Sequence, residues 1–120
     1  MYRVIQSSVN ADYDIVELPQ FKKQAKRLKL TDADIAELKQ KLIDEEPEAN
    51  LGSNVYKFRW VPSRWNTSQR DARVIYIDII KDSKAYLVSM YTKKDKSDLT
   101  PDELKNVRKL GKLLGKGGKA

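Results

Sequence analysis

The sequence predicts a small α+β domain with a mostly antiparallel sheet, in the order β-α-α-β-β-β-α. Three observations carry that expectation. Apolar residues recur at helical spacing through residues 19–46 and again after Thr100. Between those stretches the period drops to two. The chain has 120 residues, 40% of them hydrophobic, which suits one modest core in one domain spanning 1–120.

The elements follow in order. Tyr13 to Leu18 (YDIVEL) reads as a short strand centred on Ile15 and Val16, and Pro19 ends it and opens a helix at its first position. In that helix Phe21, Ala25 and Leu28 share a face, while Lys22, Lys23, Lys26, Arg27 and Lys29 form a solvated basic side. Thr31, with Asp34 three residues on, starts a second helix through a variant of the capping box. Ile35, Leu38 and Leu42 make its buried stripe, and Pro47 and Gly52 close it. Asn54–Trp60 alternates as a strand, and Arg73–Ile80 is a β-branched run of the kind found in central strands. Lys81–Lys84 is a polar turn leading into Ala85–Tyr91, so these last two strands form an antiparallel hairpin. Thr100, Pro101 and Glu103 supply N-cap, N1 and N3 of a full capping box for the last helix. Leu104, Val107, Leu110 and Leu114 face inward there, and Lys105, Arg108, Lys109 and Lys112 outward. Residues 1–10 read as an N-terminal arm or an extra strand, and 115–120 as a flexible tail.

Composition narrows the chemistry. The net charge is +7, which favours a polyanionic partner, nucleic acid or an acidic protein. Cysteine and histidine are both absent, which removes disulfides, thiolates, histidine-based triads and ordinary zinc sites. Chemistry then falls to Lys, Arg, Tyr, Ser, Thr, Asp or Glu, with no cofactor expected. No apolar run is long enough to span a bilayer and the N-terminus carries no secretory pattern, so a cytoplasmic protein is expected.

The basic residues concentrate in the strand-rich second half. Lys57 and Arg59 are two apart and share a strand face, as do Tyr91 and Lys93, and Arg73 opens the strand between. If those strands are neighbours, all five line one surface. The 61–72 loop adds Arg64, Arg70 and the aromatic Trp65, and Lys94 and Lys96 follow the last strand. Cations with interleaved rings suit single-stranded RNA, charge for phosphates and flat faces for bases. The plainer alternative stays open for each: solvated strand positions for Lys57 and Arg59, core aromatics for Trp60 and Tyr91, a solvated loop for Lys93, Lys94 and Lys96. Asp95 and Asp98, beside a helix start, read as capping and loop-shaping residues.

The segment Tyr91–Thr100 (YTKKDKSDLT) resembles the Tyr-x-Lys-x-x-x-Ser-Asp-Leu-Thr stretch of HigB-type toxins in the RelE/ParE superfamily. Gly52–Arg59 (GSNVYKFR) resembles that family's Gly-rich turn and x-Lys-x-Arg strand, and Ala72–Tyr76 (ARVIY) its Arg-hydrophobic-hydrophobic-Tyr strand. The likeness spans Tyr13 to Leu114. It implies the toxin of a type II toxin–antitoxin pair, a metal-independent endoribonuclease that cuts mRNA in the ribosomal A site. Carried over by position, Lys57, Arg59, Arg73 and Lys93 fall on the family's functional basic sites, and Lys94 is adjacent. The implied partners are a helix-turn-helix, HigA-like antitoxin, which would also bring the complex to operator DNA, and the ribosome with its mRNA; no membrane is implied. Two departures stand out: the loop before Arg73 has no glycine, and no tyrosine lies near the start of the last helix. On this pattern Arg73 stabilises the phosphate, Lys57 or Lys93 handles the proton of the 2′-hydroxyl, and Tyr91 is in reserve. Two other functions remain compatible, a ParE-like, non-hydrolytic gyrase poison and an inert basic RNA- or protein-binding module.

Overall fold

The computed structural model describes residues 13–65 and 71–117, so the expectations for residues 1–10, for Arg70 and for the end of the tail lie outside the described residues. The described residues form five strands and three α-helices: β1 (Asp14–Glu17), α1 (Pro19–Arg27), α2 (Asp32–Asp44), β2 (Ala49–Gly52), β3 (Val55–Trp60), β4 (Ala72–Ile79), β5 (Lys84–Thr92) and α3 (Pro101–Gly115), with a 3-10 turn at Ile80–Asp82 between β4 and β5. The fold is the small α+β architecture expected, with one correction. Ala49–Gly52 is not a bare linker closing α2; it is an edge strand, and α2 ends earlier, at Asp44.

The sheet runs in the order β1-β5-β4-β3-β2. Neighbours β2/β3, β3/β4 and β4/β5 are antiparallel, and only β1 joins β5 in parallel. Alternation along the strands gives each face its own core. Phe58, Trp60, Val74, Tyr76, Leu87 and Met90 pack with Phe21 and Ala25 of α1 and Ile35, Leu38 and Leu42 of α2. Val55, Ile75, Ile77 and Ile79 pack on the other face with Val107 and Leu114 of α3. Trp60 is thus a core aromatic, its indole N–H donating to Glu37 at 3.0 Å.

Local signals explain the helix starts. Thr31 and Thr100 are both N-caps of complete, reciprocal capping boxes, with Asp34 and Glu103 at N3. Pro19 begins α1 and Pro101 begins α3. The C-terminal half of α3 sits tight on the β2–β3 turn. There Gly52, Ser53 and Asn54 take φ of +90°, +56° and +69°, and a Cβ on Gly111 would lie 2.0 Å from the Ser53 carbonyl oxygen. Only glycine permits that crossing. Asn54 donates to the Gly111 carbonyl and Arg108 to the Leu51 carbonyl, which fixes α3 against the turn.

Between β4 and β5 the register breaks, with Ile75 opposite Ser89 but Tyr76 opposite Leu87. Val88 is the extra residue of this β-bulge. It lets Leu87 and Met90 both face α1 and α2 while Ser89 and Tyr91 face α3.

Candidate active site

Register decides which basic residues meet. Arg59 pairs with Arg73, and Arg73 with Tyr91, so these three stand in one row across β3, β4 and β5. Lys57 stands in the next row, opposite Ile75, which pairs with Ser89. Directly opposed residues share a sheet face, so Lys57, Arg59, Arg73 and Tyr91 lie together on the α3 face. They sit beside the segment that leads from β5 into α3.

The cations are interleaved with carboxylates rather than bare. Asp71, at the start of β4, has a side chain only 3% exposed and accepts from Arg59 Nε at 2.6 Å. Arg73 Nη1 lies 3.2 Å from the same Asp71 oxygen, an ion-pair distance at an angle too poor for a hydrogen bond, so that buried N–H is unspent. Arg73 Nε faces Glu48 at 2.9 Å, and its side chain is 11% exposed against 55% for Arg59. Lys57 Nζ lies 3.7 Å from Asp98, whose carboxylate also accepts from the Tyr91 hydroxyl at 3.3 Å and from the Leu99 amide. Burial raises the Asp71 carboxyl, but the Arg59 hydrogen bond and the charges of Arg73 and Arg59 outweigh it and hold it below the usual carboxylate range. The Leu99 amide, helped by Lys57, keeps Asp98 low as well. Burial, then the Asp98 charge, push the Tyr91 phenol up to about 12. At neutral pH Tyr91 keeps its proton and acts as a hydrogen-bond donor.

The model of the RelE toxin of the RelE/RelB toxin–antitoxin system matches residues 15–119 of this chain. The chain belongs to the RelE toxin family. No curated protein matches it. A RelE-family toxin has an antitoxin as its partner, and the matched span contains the whole of the row described above. Among the described residues no helix is long and apolar enough to cross a membrane.

The other sequence candidates of this RelE-family chain are distributed unevenly. Lys93 and Lys94 are exposed in the turn after β5. Lys96 stands over the Tyr91 ring at 5.4 Å and pairs with Glu103 at 2.6 Å, so it belongs to the rim of the row. Asp95 shapes this turn by accepting from the Thr92 amide and hydroxyl, and it takes an ion pair from Arg27 of α1 at 2.9 Å. Arg64 is not brought to the row. Its guanidinium forks onto Asp34 at 2.6 Å and 3.2 Å and reaches the Lys29 carbonyl, so it pins the loop to the start of α2 on the opposite face. Trp65 is half-buried in the turn that its amide closes on the Pro62 carbonyl. Glu37 holds the same loop through the Ser63 amide.

Sequence reading missed Asp71 and Glu48. An acid at a strand start looks like a turn residue, and Glu48 precedes a strand of four residues with no β-branched or aromatic side chain to mark it. The available signal was spacing: Asp71 is two residues before Arg73, so parity puts it on the same face.

Proposed function

We propose that this toxin is a HigB-type, ribosome-dependent endoribonuclease that cleaves mRNA in the A site. The observation that carries the reading is the Arg59–Arg73–Tyr91 row with Lys57 beside it, where the Arg59 side chain is open to solvent. In-line attack by a ribose 2′-hydroxyl needs its proton removed, charge stabilised at phosphorus, and a proton for the leaving 5′-oxygen. Guanidinium groups suit the second task because they bind two phosphoryl oxygens in a fork and stay charged. Arg59 supplies the accessible guanidinium and Arg73 the enclosed one, oriented by Glu48 and Asp71. Tyr91, protonated at working pH, supports the row as a donor. Lys57, one row away, and Lys93, in the turn after β5, take the two proton transfers: one accepts the 2′-hydroxyl proton and the other gives a proton to the leaving 5′-oxygen. Lys94 and Lys96 extend the positive rim toward the RNA backbone, and a HigA-like antitoxin would be the inhibitor in the cytoplasm.

The test is a reconstituted translation reaction with primer extension on the mRNA. The reading expects new 5′ ends within codons, and only on translated message. Intact mRNA together with gyrase-dependent DNA breaks would assign the chain to the ParE-like function. Intact mRNA and intact DNA would leave a binding module.

A further inference from the structure

Beside the row lies a cleft of about 300 Å³ between α3 and the sheet. Its floor is Ile75 and Ser89. These are the next same-face residues along β4 and β5 after Arg73 and Tyr91, so the floor begins about 7 Å from the row, two residues of strand rise. That is the order of the span from a nucleotide's phosphate to its own base. Leu99, Val107 and Leu110 give the cleft apolar walls. The Val88 bulge shapes it, because both Val88 and Ser89 line the cleft where regular alternation would turn one of them away.

Four polar side chains line the cleft: Glu103 is taken by Lys96 and the Thr100 cap, while Ser89 is half-buried and Gln20 and Asn106 are exposed at the mouth, open to water or to a ligand. Among the described residues Gln20, Ser89 and Asn106 line the cleft and none makes a side-chain hydrogen bond. An apolar peptide side chain would desolvate these groups without pairing them, at a cost. A flat ring edged with donors and acceptors would use both the walls and the polar groups. We propose that this cleft is a nucleobase subsite, holding the base of a nucleotide whose phosphate lies on the Arg59–Arg73 row. The inference rests on the reading that this face binds RNA.

The probe is a short RNA made uncleavable by 2′-deoxy substitution, with one abasic position placed at each site in turn. Binding to the full-length protein is read by fluorescence anisotropy at fixed low salt. The subsite predicts that one abasic position weakens binding about tenfold or more while the others change it little. Asn106 is exposed on α3, so Asn106→Trp blocks the mouth without touching the core. It should weaken the intact RNA and abolish the abasic penalty. Asn106→Ala should give a smaller loss confined to the same position. Equal affinity for all abasic RNAs, or a penalty that survives Asn106→Trp, would overturn the subsite. Arg59→Ala separates the two levels of the argument. If it weakens every RNA alike and no abasic position matters, the face binds RNA and the cleft does not. If it changes no affinity, the RNA-binding reading itself fails.

Discussion

Replacing Asp71 with asparagine probes the hub of the row. The side chain is 3% exposed and faces two guanidinium groups, Arg59 at 2.6 Å and Arg73 at 3.2 Å. Distance alone would rank Arg59 first, but burial reverses the order. Arg59 is 55% exposed and water replaces its partner readily, whereas Arg73 is 11% exposed and keeps only Glu48. Removing one member of a buried charge pair costs up to about 3–5 kcal/mol, and a hydrogen bond to a charged group contributes about 1.5–3 kcal/mol. Asparagine keeps one carbonyl acceptor and Arg73 keeps Glu48, so we expect Asp71→Asn to destabilise by about 2 kcal/mol. For a chain of this size that is a fall in Tm of roughly 6–12 °C. Urea unfolding with an unchanged m-value reads the loss. A double-mutant cycle should couple Asp71 more strongly to Arg73 than to Arg59. On the proposed reaction, RNA affinity is retained or tightened, because two cations lose their counter-charge, while cleavage falls as the guanidinium groups lose their orientation. A change within 0.5 kcal/mol, the usual scale of a neutral surface substitution, or a larger coupling to Arg59, would refute this account of the hub.

Other perturbations test separate parts of the structure. Gly111→Ala drives a methyl into the Ser53 carbonyl, so α3 must shift; a loss of about 1–3 kcal/mol in chemical unfolding is expected, the range for overpacking. Arg64→Ala strips the buried Asp34 of its fork, and should lower Tm while leaving cleavage by the folded protein intact, because its contacts are on the far face from the row. Asp34, Asp71, Asp95, Asp98 and Glu103 all have folded-state pKa values below their ordinary ones. The unfolded chain therefore binds more protons, so stability present above about pH 4 is lost as pH falls from there through the lowered values, and Tm measured from pH 6 to pH 2 should drop accordingly. Tyr91 has the opposite sense: its phenol is raised to about 12, so stability is full below pH 10 and is lost between about 10 and 12. A 295 nm titration should show a late-ionising component that Tyr91→Phe diminishes.

Much of the fold was legible because its signals are local. The Thr100-Pro101-Glu103 start of α3 and the β-branched run of β4 need no tertiary information, and both are where the pattern put them. The edge strand β2 was not legible. Ala49–Gly52 (ANLG) is four residues long with no β-branched or aromatic residue, and it is a strand only because Val55, Tyr56 and Lys57 of β3 pair with it. The Val88 bulge was equally hidden, since alternation by two continues on paper through the residue where the ladder slips. In the site, parity along single strands grouped Lys57 with Arg59, but only the register showed Arg59, Arg73 and Tyr91 in one row. The picture of crowded cations missed their counter-charges. Asp98 reaches Lys57 from the β5–α3 segment, and Asp71 and Glu48 reach the arginines from strand ends, so none is a neighbour by helical or strand spacing alone except Asp71. Arg64 and its partner Asp34 are 30 residues apart, a separation no sequence rule connects.

The central claim is that the Lys57–Arg59–Arg73–Tyr91 face cleaves translated mRNA. Arg59→Ala tests it most directly, because the side chain is largely exposed and its loss leaves the cores untouched. The measurement is the rate of appearance of new mRNA 5′ ends in a reconstituted translation reaction, with unfolding curves recorded beside it. The account predicts a folded protein whose cleavage rate falls by about tenfold or more, the scale of one charged donor lost at a developing charge. A folded Arg59→Ala protein that cuts translated mRNA at the wild-type rate would contradict it.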